Sequence, residues 1–249
     1  MDKKYEFIRS DEVFESLVIG SIRINGKKVE KFDYIKNIKT FAAHTERILA
    51  LIILPNGDIC SASTRKIKIW DRNSQKLVLT LKGHKQEIYN LAVLKNGNLC
   101  SCSMDKIIKI WNTETGKLFF EFGYDHTGGI VGLVLLPNGF LCSSAEDYTV
   151  RIWNMDIMLS LFSFISDDLV KTIHLCNTET VLTSLVVLDE ENIFGCSARD
   201  NSIEIVNFKT ERMDKGLYGH RDSVSNIAKC PNGNFVSASF DRTIKIWGK

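Results

Sequence analysis

Proline is scarce in this chain: there are three in 249 residues. Net charge is nearly absent, since 32 basic side chains face 30 acidic ones and leave a formal +2. That balance gives no broad electrostatic reason for a nucleic-acid or membrane partner, and neither is expected. No apolar run is long enough to span a bilayer; the longest, such as Gly132 to Leu136, are strand-sized. The opening Met1-Asp2-Lys3-Lys4-Tyr5 continues into charged residues, so no secretion signal is expected. The seven cysteines form no paired-spacing motif. Free, buried thiols are expected, with no metal site, disulfide or cofactor, in a reducing compartment. Cytoplasm is the expected location, and the nucleus is compatible with the same chemistry.

Hydrophobic residues at 44% and charged residues at 25% describe an ordinary globular protein, neither disordered nor fibrous. The length allows one large core or two modest ones. The repeats decide for one. All four tryptophans, four of the five histidines and all three prolines fall on a grid of about 41 residues. Its most regular string is a quartet of hydrophobic, charged, hydrophobic and tryptophan residues. It occurs as Ile67-Lys68-Ile69-Trp70, Ile108-Lys109-Ile110-Trp111, Val150-Arg151-Ile152-Trp153 and Ile244-Lys245-Ile246-Trp247. A weaker copy, Ile203-Glu204-Ile205-Val206, loses the indole. Short alternating strands at this period predict an all-β chain, a β-propeller of four-stranded antiparallel blades.

The stretch from Gly83 to Phe122 shows one unit. Ile88 to Leu94 reads as an inner strand, Lys95-Asn96-Gly97-Asn98 as a turn and Leu99 to Ser103 as a second strand. Met104-Asp105-Lys106 turns the chain again. Ile107 to Trp111 is a third strand and Lys117 to Phe122 an outer one. The first turn recurs as Leu54-Pro55-Asn56-Gly57, Leu136-Pro137-Asn138-Gly139 and Cys230-Pro231-Asn232-Gly233. A fixed φ suits proline there, and its missing donor harms no strand ladder.

The chain resembles the WD40-repeat family. The resemblance rests on the pairs Gly83-His84 and Gly219-His220, their variants Ala43-His44 and Asp125-His126, the serine-rich second strands and the turn aspartates. The pairs Trp70-Asp71, Trp111-Asn112 and Trp153-Asn154 add to it. It implies a buried network of loop histidine, strand serine, turn aspartate and strand tryptophan. On this sequence the network falls on His84, Ser101, Asp105 and Trp111, again on His126, Ser143, Asp147 and Trp153, and on His220, Ser237, Asp241 and Trp247. Three equivalent copies, each ending in an indole, argue for a scaffold and against a hydrolase triad. Two repeats depart from the pattern. Ser61 to Arg65 has no aspartate, and the copy with Asp200 has Cys196 and Val206 in the serine and tryptophan slots. Packing more than polar bonding is expected to hold those two.

A single propeller over residues 1–249 is expected, with repeats at 44–82, 83–124, 125–165, 166–218 and 219–249. Residues 1–43 are read as a sixth, degenerate blade. Five blades plus N-terminal closing strands is the alternative. Asn25-Gly26 is a hairpin signal. Val13 to Ser16 and Ile22 to Asn25 echo the second and third strands of a repeat, and Ile35 to Phe41 an outer one. The last repeat stops after its third strand, so Tyr5 to Ile8 is the expected closing strand. About twelve extra residues near Ser166 to His174 read as a long loop. His174, the one histidine off the grid, is read as surface or loop filler.

The resemblance implies that two positions per repeat line the rim of one face: the start of the innermost strand and the residue before the turn aspartate. They are Arg47, Leu49 and Thr64; Glu87, Tyr89 and Met104; Val131 and Glu146; Arg199; and Ser225 and Phe240. Tyrosine, phenylalanine, methionine and arginine suit a protein-binding patch. The expected function is therefore a non-catalytic scaffold for a peptide or protein, monomeric or one subunit of a complex. The alternative is a reader of a phosphopeptide or of ubiquitin, with Arg47, Arg65 and Arg199 as cations. A propeller enzyme and an RNA-binding protein are weaker readings.

Overall fold

The computed structural model describes residues 23–24, 27–28, 40–155, 169–174, 181–189, 192–197, 201–207, 209–210, 212–230 and 234–248. The chain divides into two units, Met1–Ile48 and Leu49–Lys249. In the first, β1 (Arg23–Ile24) pairs antiparallel with β2 (Lys27–Lys28), with Ile24 opposite Lys27. Asn25-Gly26, the hairpin signal between them, lies outside the described residues. The expected strands at Val13 to Ser16 and Tyr5 to Ile8 lie outside the described residues.

The second unit is a succession of antiparallel sheets in a β-propeller arrangement. The first sheet runs β3 (Ala50–Ile53), β4 (Ile59–Ala62), β5 (Lys66–Trp70), β6 (Leu77–Lys82). The second runs β7 (Ile88–Val93), β8 (Leu99–Ser103), β9 (Ile108–Trp111), β10 (Leu118–Phe122). The third holds β11 (Ile130–Leu135), β12 (Leu141–Ala145), β13 (Thr149–Trp153) and β14 (Leu169–His174). The fourth holds β15 (Leu182–Val187), β16 (Asn192–Ser197), β17 (Ile203–Asn207) and β18 (Arg212–Leu217). The fifth has three described strands, β19 (Val224–Lys229), β20 (Phe235–Ser239) and β21 (Ile244–Trp247). Within each sheet every strand pairs with the next in sequence.

The quartet explains how the sheets stack. Side chains alternate across a strand, so Ile108 and Ile110 face one way and Trp111 the other. The two isoleucines share a core with Ile130, Leu133 and Trp153 of the third sheet. Trp111 shares one with Ile67, Ile69 and Leu81 of the first. The same alternation places Val150 and Ile152 against Leu182 and Leu185, and Ile203 against Val224 and Phe235. One apolar layer thus fills each gap between consecutive sheets. Each fully buried isoleucine contributes roughly 1.5–3 kcal/mol. On β21, Ile244 and Ile246 are exposed, since no described sheet follows the fifth.

The described proline turns, at Pro55 and Pro137, behave as their sequence predicts. Gly57 adopts a left-handed φ of 89° and donates its amide to the Leu54 carbonyl at 2.8 Å, while Asn56 Oδ1 accepts from the Asp58 amide. One expectation fails. Residues 169–174, read as loop, form β14, the outer strand of the third sheet, with Val150 opposite Ile173 and Thr149 opposite His174. The repeat expected at 125–165 therefore runs on to His174, and its extra length precedes the outer strand. The polar run Ser166-Asp167-Asp168 masked the short apolar alternation that follows it.

Candidate functional site

The second, third and fifth sheets each carry a buried chain of polar contacts. His84 Nδ1 lies 2.9 Å from Asp105 Oδ2, and His84 Nε2 lies 2.8 Å from Ser101 Oγ. Trp111 Nε1 donates to the same Ser101 Oγ at 2.8 Å. His126, Asp147, Ser143 and Trp153 repeat the geometry, with all three contacts at 2.8 Å. His220, Asp241, Ser237 and Trp247 do so at 2.8, 2.7 and 2.8 Å. The donors can be ordered by chemistry. Each indole can only donate, so the serine oxygen accepts from it and gives its own proton to the histidine Nε2. Nδ1–H then donates to the carboxylate.

Each aspartate also binds backbone. Asp105 Oδ2 accepts from the Lys85 amide at 2.8 Å, Asp147 Oδ2 from Thr127 at 2.9 Å and Asp241 Oδ2 from Arg221 at 2.9 Å. The hydroxyls of Thr149 and Thr243 donate to the second oxygens of Asp147 and Asp241, both at 2.6 Å. Burial works against these carboxylates, but the histidine rings, amides and hydroxyls outweigh it and hold all three pKa values below the usual range. The glycine before two of the histidines has a plain role. A Cβ on Gly83 would lie 3.2 Å from Trp111 Cη2, and one on Gly219 would lie 3.2 Å from Trp247 Cη2. In the first sheet Trp70 Nε1 donates to Ser61 Oγ at 2.9 Å. In the fourth, Val206 packs in the core where the other sheets have tryptophan.

A family model described as WD domain, G-beta repeat matches residues 35–71, 75–112, 116–154 and 212–248. The chain belongs to the WD40-repeat family. Solved structures agree on the fold. The structure of U3-55K matches with a TM-score of 0.72, and the crystal structure of the RRP9 WD40 repeats with 0.71. Each is 22% identical over 83% of this chain and 62% of its own, so this chain spans about 62% of those relatives. Comparison with curated protein sequences gives no match.

The WD40 tetrads place the loop before each inner strand beside the turn that carries the aspartate. Backbone bonds fasten the two together. The Met104 amide donates to the Glu87 carbonyl at 2.9 Å, Glu146 to Gly129 at 2.9 Å and Phe240 to Ser223 at 3.0 Å. The Met104 thioether lies over Gly129, so this end of the second sheet meets the same end of the third. The inner strands of these three sheets, β7, β11 and β19, also bulge at their second residue, placing Tyr89, Val131 and Ser225 in equivalent positions.

Tyr89 is 39% exposed and Phe240 is 69% exposed. Ser225 and Glu146 are exposed, while Leu49, Thr64, Glu87 and Met104 are half-buried. Val131 does not reach the surface expected for it: it is 6% exposed, because its short side chain ends within the packed layer that the Tyr89 ring clears. Arg47 is exposed on the N-terminal unit, and Arg65 is exposed on the turn before β5. Arg199 lies outside the described residues. The sequence reading passed over Tyr124 and Tyr218, both strongly exposed two residues before a loop histidine. Aligning the repeats at that slot would have found them.

Proposed function

We propose that this WD40 protein is a non-catalytic scaffold that holds a peptide or protein against the loop end of its sheets. The observation that carries this reading is the exposure of Tyr89 and Phe240 on backbone fastened from beneath. Aromatic rings on a rigid base bury apolar area at little cost in order, as interface anchors do. The serines of the tetrads favour structure over catalysis. Ser101, Ser143 and Ser237 are sealed from solvent, and each oxygen already accepts a hydrogen bond from an indole N–H. The partner is a protein in preference to nucleic acid, and the buried free thiols suit a reducing compartment, the cytoplasm or nucleus.

The test is the double substitution Tyr89→Ala and Phe240→Ala, with recovery of bound protein from lysate compared against the unaltered chain. Loss of recovery with an unchanged melting temperature is expected. Undiminished recovery would move the site away from these rings.

A further inference from the structure

The fifth sheet differs from its equivalents at the loop end. Tyr218 and Arg221 flank its loop histidine, and Phe240 and Arg242 flank its turn aspartate. All four are exposed, Tyr218 to 66%. The same slots of the third sheet hold Tyr124, Thr127, Glu146 and Tyr148, with no cation. Those of the second hold three lysines and a methionine. Only the fifth, among sheets with a full tetrad, joins two aromatic rings to two guanidinium groups.

The backbone beneath them is fixed. The Arg221 amide donates to Asp241 Oδ2 at 2.9 Å, the Ser239 hydroxyl to the Asp222 carbonyl at 2.8 Å, and the Arg242 amide to the Ser239 carbonyl at 3.1 Å. Arg242 holds a left-handed φ of 68°, a conformation that glycine or asparagine adopts more readily. No described carboxylate forms an ion pair with either guanidinium. Two forked cations and two rings carried on one loop and the turn fastened to it suit carboxylates next to an apolar side chain.

We infer that the corner formed by Tyr218, Arg221, Phe240 and Arg242 binds an acidic segment of a protein partner. The carboxylates lie on the two arginines, and an adjoining apolar side chain lies against the rings. This rests on the scaffold reading above and gives its partner a chemistry. A short acidic segment fits better than a nucleic-acid backbone. Asp222 in the same loop, and Asp125 and Glu146 at the loop end of the third sheet, are exposed carboxylates that would repel a long run of phosphates.

The test is selection of a random dodecapeptide phage library on the whole protein and on Arg221→Glu/Arg242→Glu, with folding of both checked by melting. Recovered peptides are then measured by fluorescence anisotropy at low and high salt. Peptides with two or more acidic residues beside an apolar one should be enriched. They should bind the variant at least ~10-fold more weakly and lose affinity as salt rises. If the charge-reversed chain does not fold, Arg221→Gln/Arg242→Gln carries the same comparison. Enrichment without acidic bias, equal binding to both proteins, or no enrichment at all overturns the inference. So does preferential binding of a labelled polyuridylate 20-mer, which would assign the corner to RNA. If recovered peptides lack acids yet lose binding to Tyr89→Ala/Phe240→Ala, the scaffold reading stands and only this inference falls.

Discussion

Replacing Asp147 by asparagine changes almost no volume and removes one charge, so its effect isolates the polar network of the third sheet. The carboxylate accepts four bonds: Oδ2 from His126 Nδ1 and the Thr127 amide, Oδ1 from the Thr149 amide and hydroxyl. An asparagine does best with its oxygen toward His126 and Thr127. Its NH2 then faces Thr149, whose hydroxyl can rotate to accept. The Thr149 amide cannot rotate and is left without an acceptor. A stranded buried donor costs about 1–3 kcal/mol, and each bond that loses its charge weakens by roughly 1 kcal/mol. The sum is about 3–5 kcal/mol, a fall in melting temperature of roughly 6–20 °C for a chain of this size. Thermal unfolding followed by far-UV circular dichroism and tryptophan fluorescence reads it directly. Asp125→Asn, an exposed neighbour, should stay within about 0.5 kcal/mol of the parent. A melting curve for Asp147→Asn no lower than that of Asp125→Asn would refute the reasoning, because the network would then contribute nothing.

Acid should act through the same carboxylates. Their pKa values are lowered in the folded protein, so the unfolded chain binds protons first as pH falls. The stabilisation is complete above about pH 5, well clear of the unfolded value of about 3.9, and is lost progressively as pH falls from there through the lowered folded values. Urea midpoints between pH 7 and pH 3 should fall steeply for the parent and less for Asp147→Asn; parallel curves would contradict this. Burial pushes the Cys60 thiol up to about 12, and those of Cys100, Cys102 and Cys142 further. Iodoacetamide at pH 8 should leave these four unmodified in the folded protein and alkylate them in denaturant, as peptide mass spectrometry would show. The exposed Ile244 and Ile246 on β21 give the expected closing strand its test. Deleting residues 1–12 should cause aggregation or lower the melting temperature by about 5 °C or more, and an unchanged curve would discard that assignment.

Most of the scaffold was legible because several unrelated constraints repeat in phase. Pro55, Pro137 and Pro231 mark a turn, the four tryptophans mark a third strand, and a serine stands nine or ten residues before each of them. Each alone is weak, but together they set the register of β4, β8, β12 and β20. What escaped depended on side-chain reach or on a repeat that had lost its marks. Tyr89 and Val131 occupy the same bulge, yet ring length alone decides which meets solvent. β14 carries no proline, tryptophan or glycine, so only its pairing with β13 reveals it. Arg47 fell to the N-terminal unit, so its place in a common rim with Tyr89 was a matter of counting along the chain and not of packing.

The tetrads explain why exposed positions at the loop end can carry recognition at all. A loop that presents an aromatic ring needs its backbone bonds satisfied from somewhere, or it loses order when it loses water. Here the aspartate supplies acceptors to the amides of Lys85, Thr127 and Arg221, the very residues that follow the loop histidines. The side chains of those residues are then free of structural duty. Lysine, threonine and arginine stand there in turn, while the histidine and aspartate beneath stay the same in all three sheets. Surface identity and loop geometry are thereby set by different residues. A partner can be selected through the first without a loss in the second, which is the physical condition for one repeat to serve as scaffold and as contact at once.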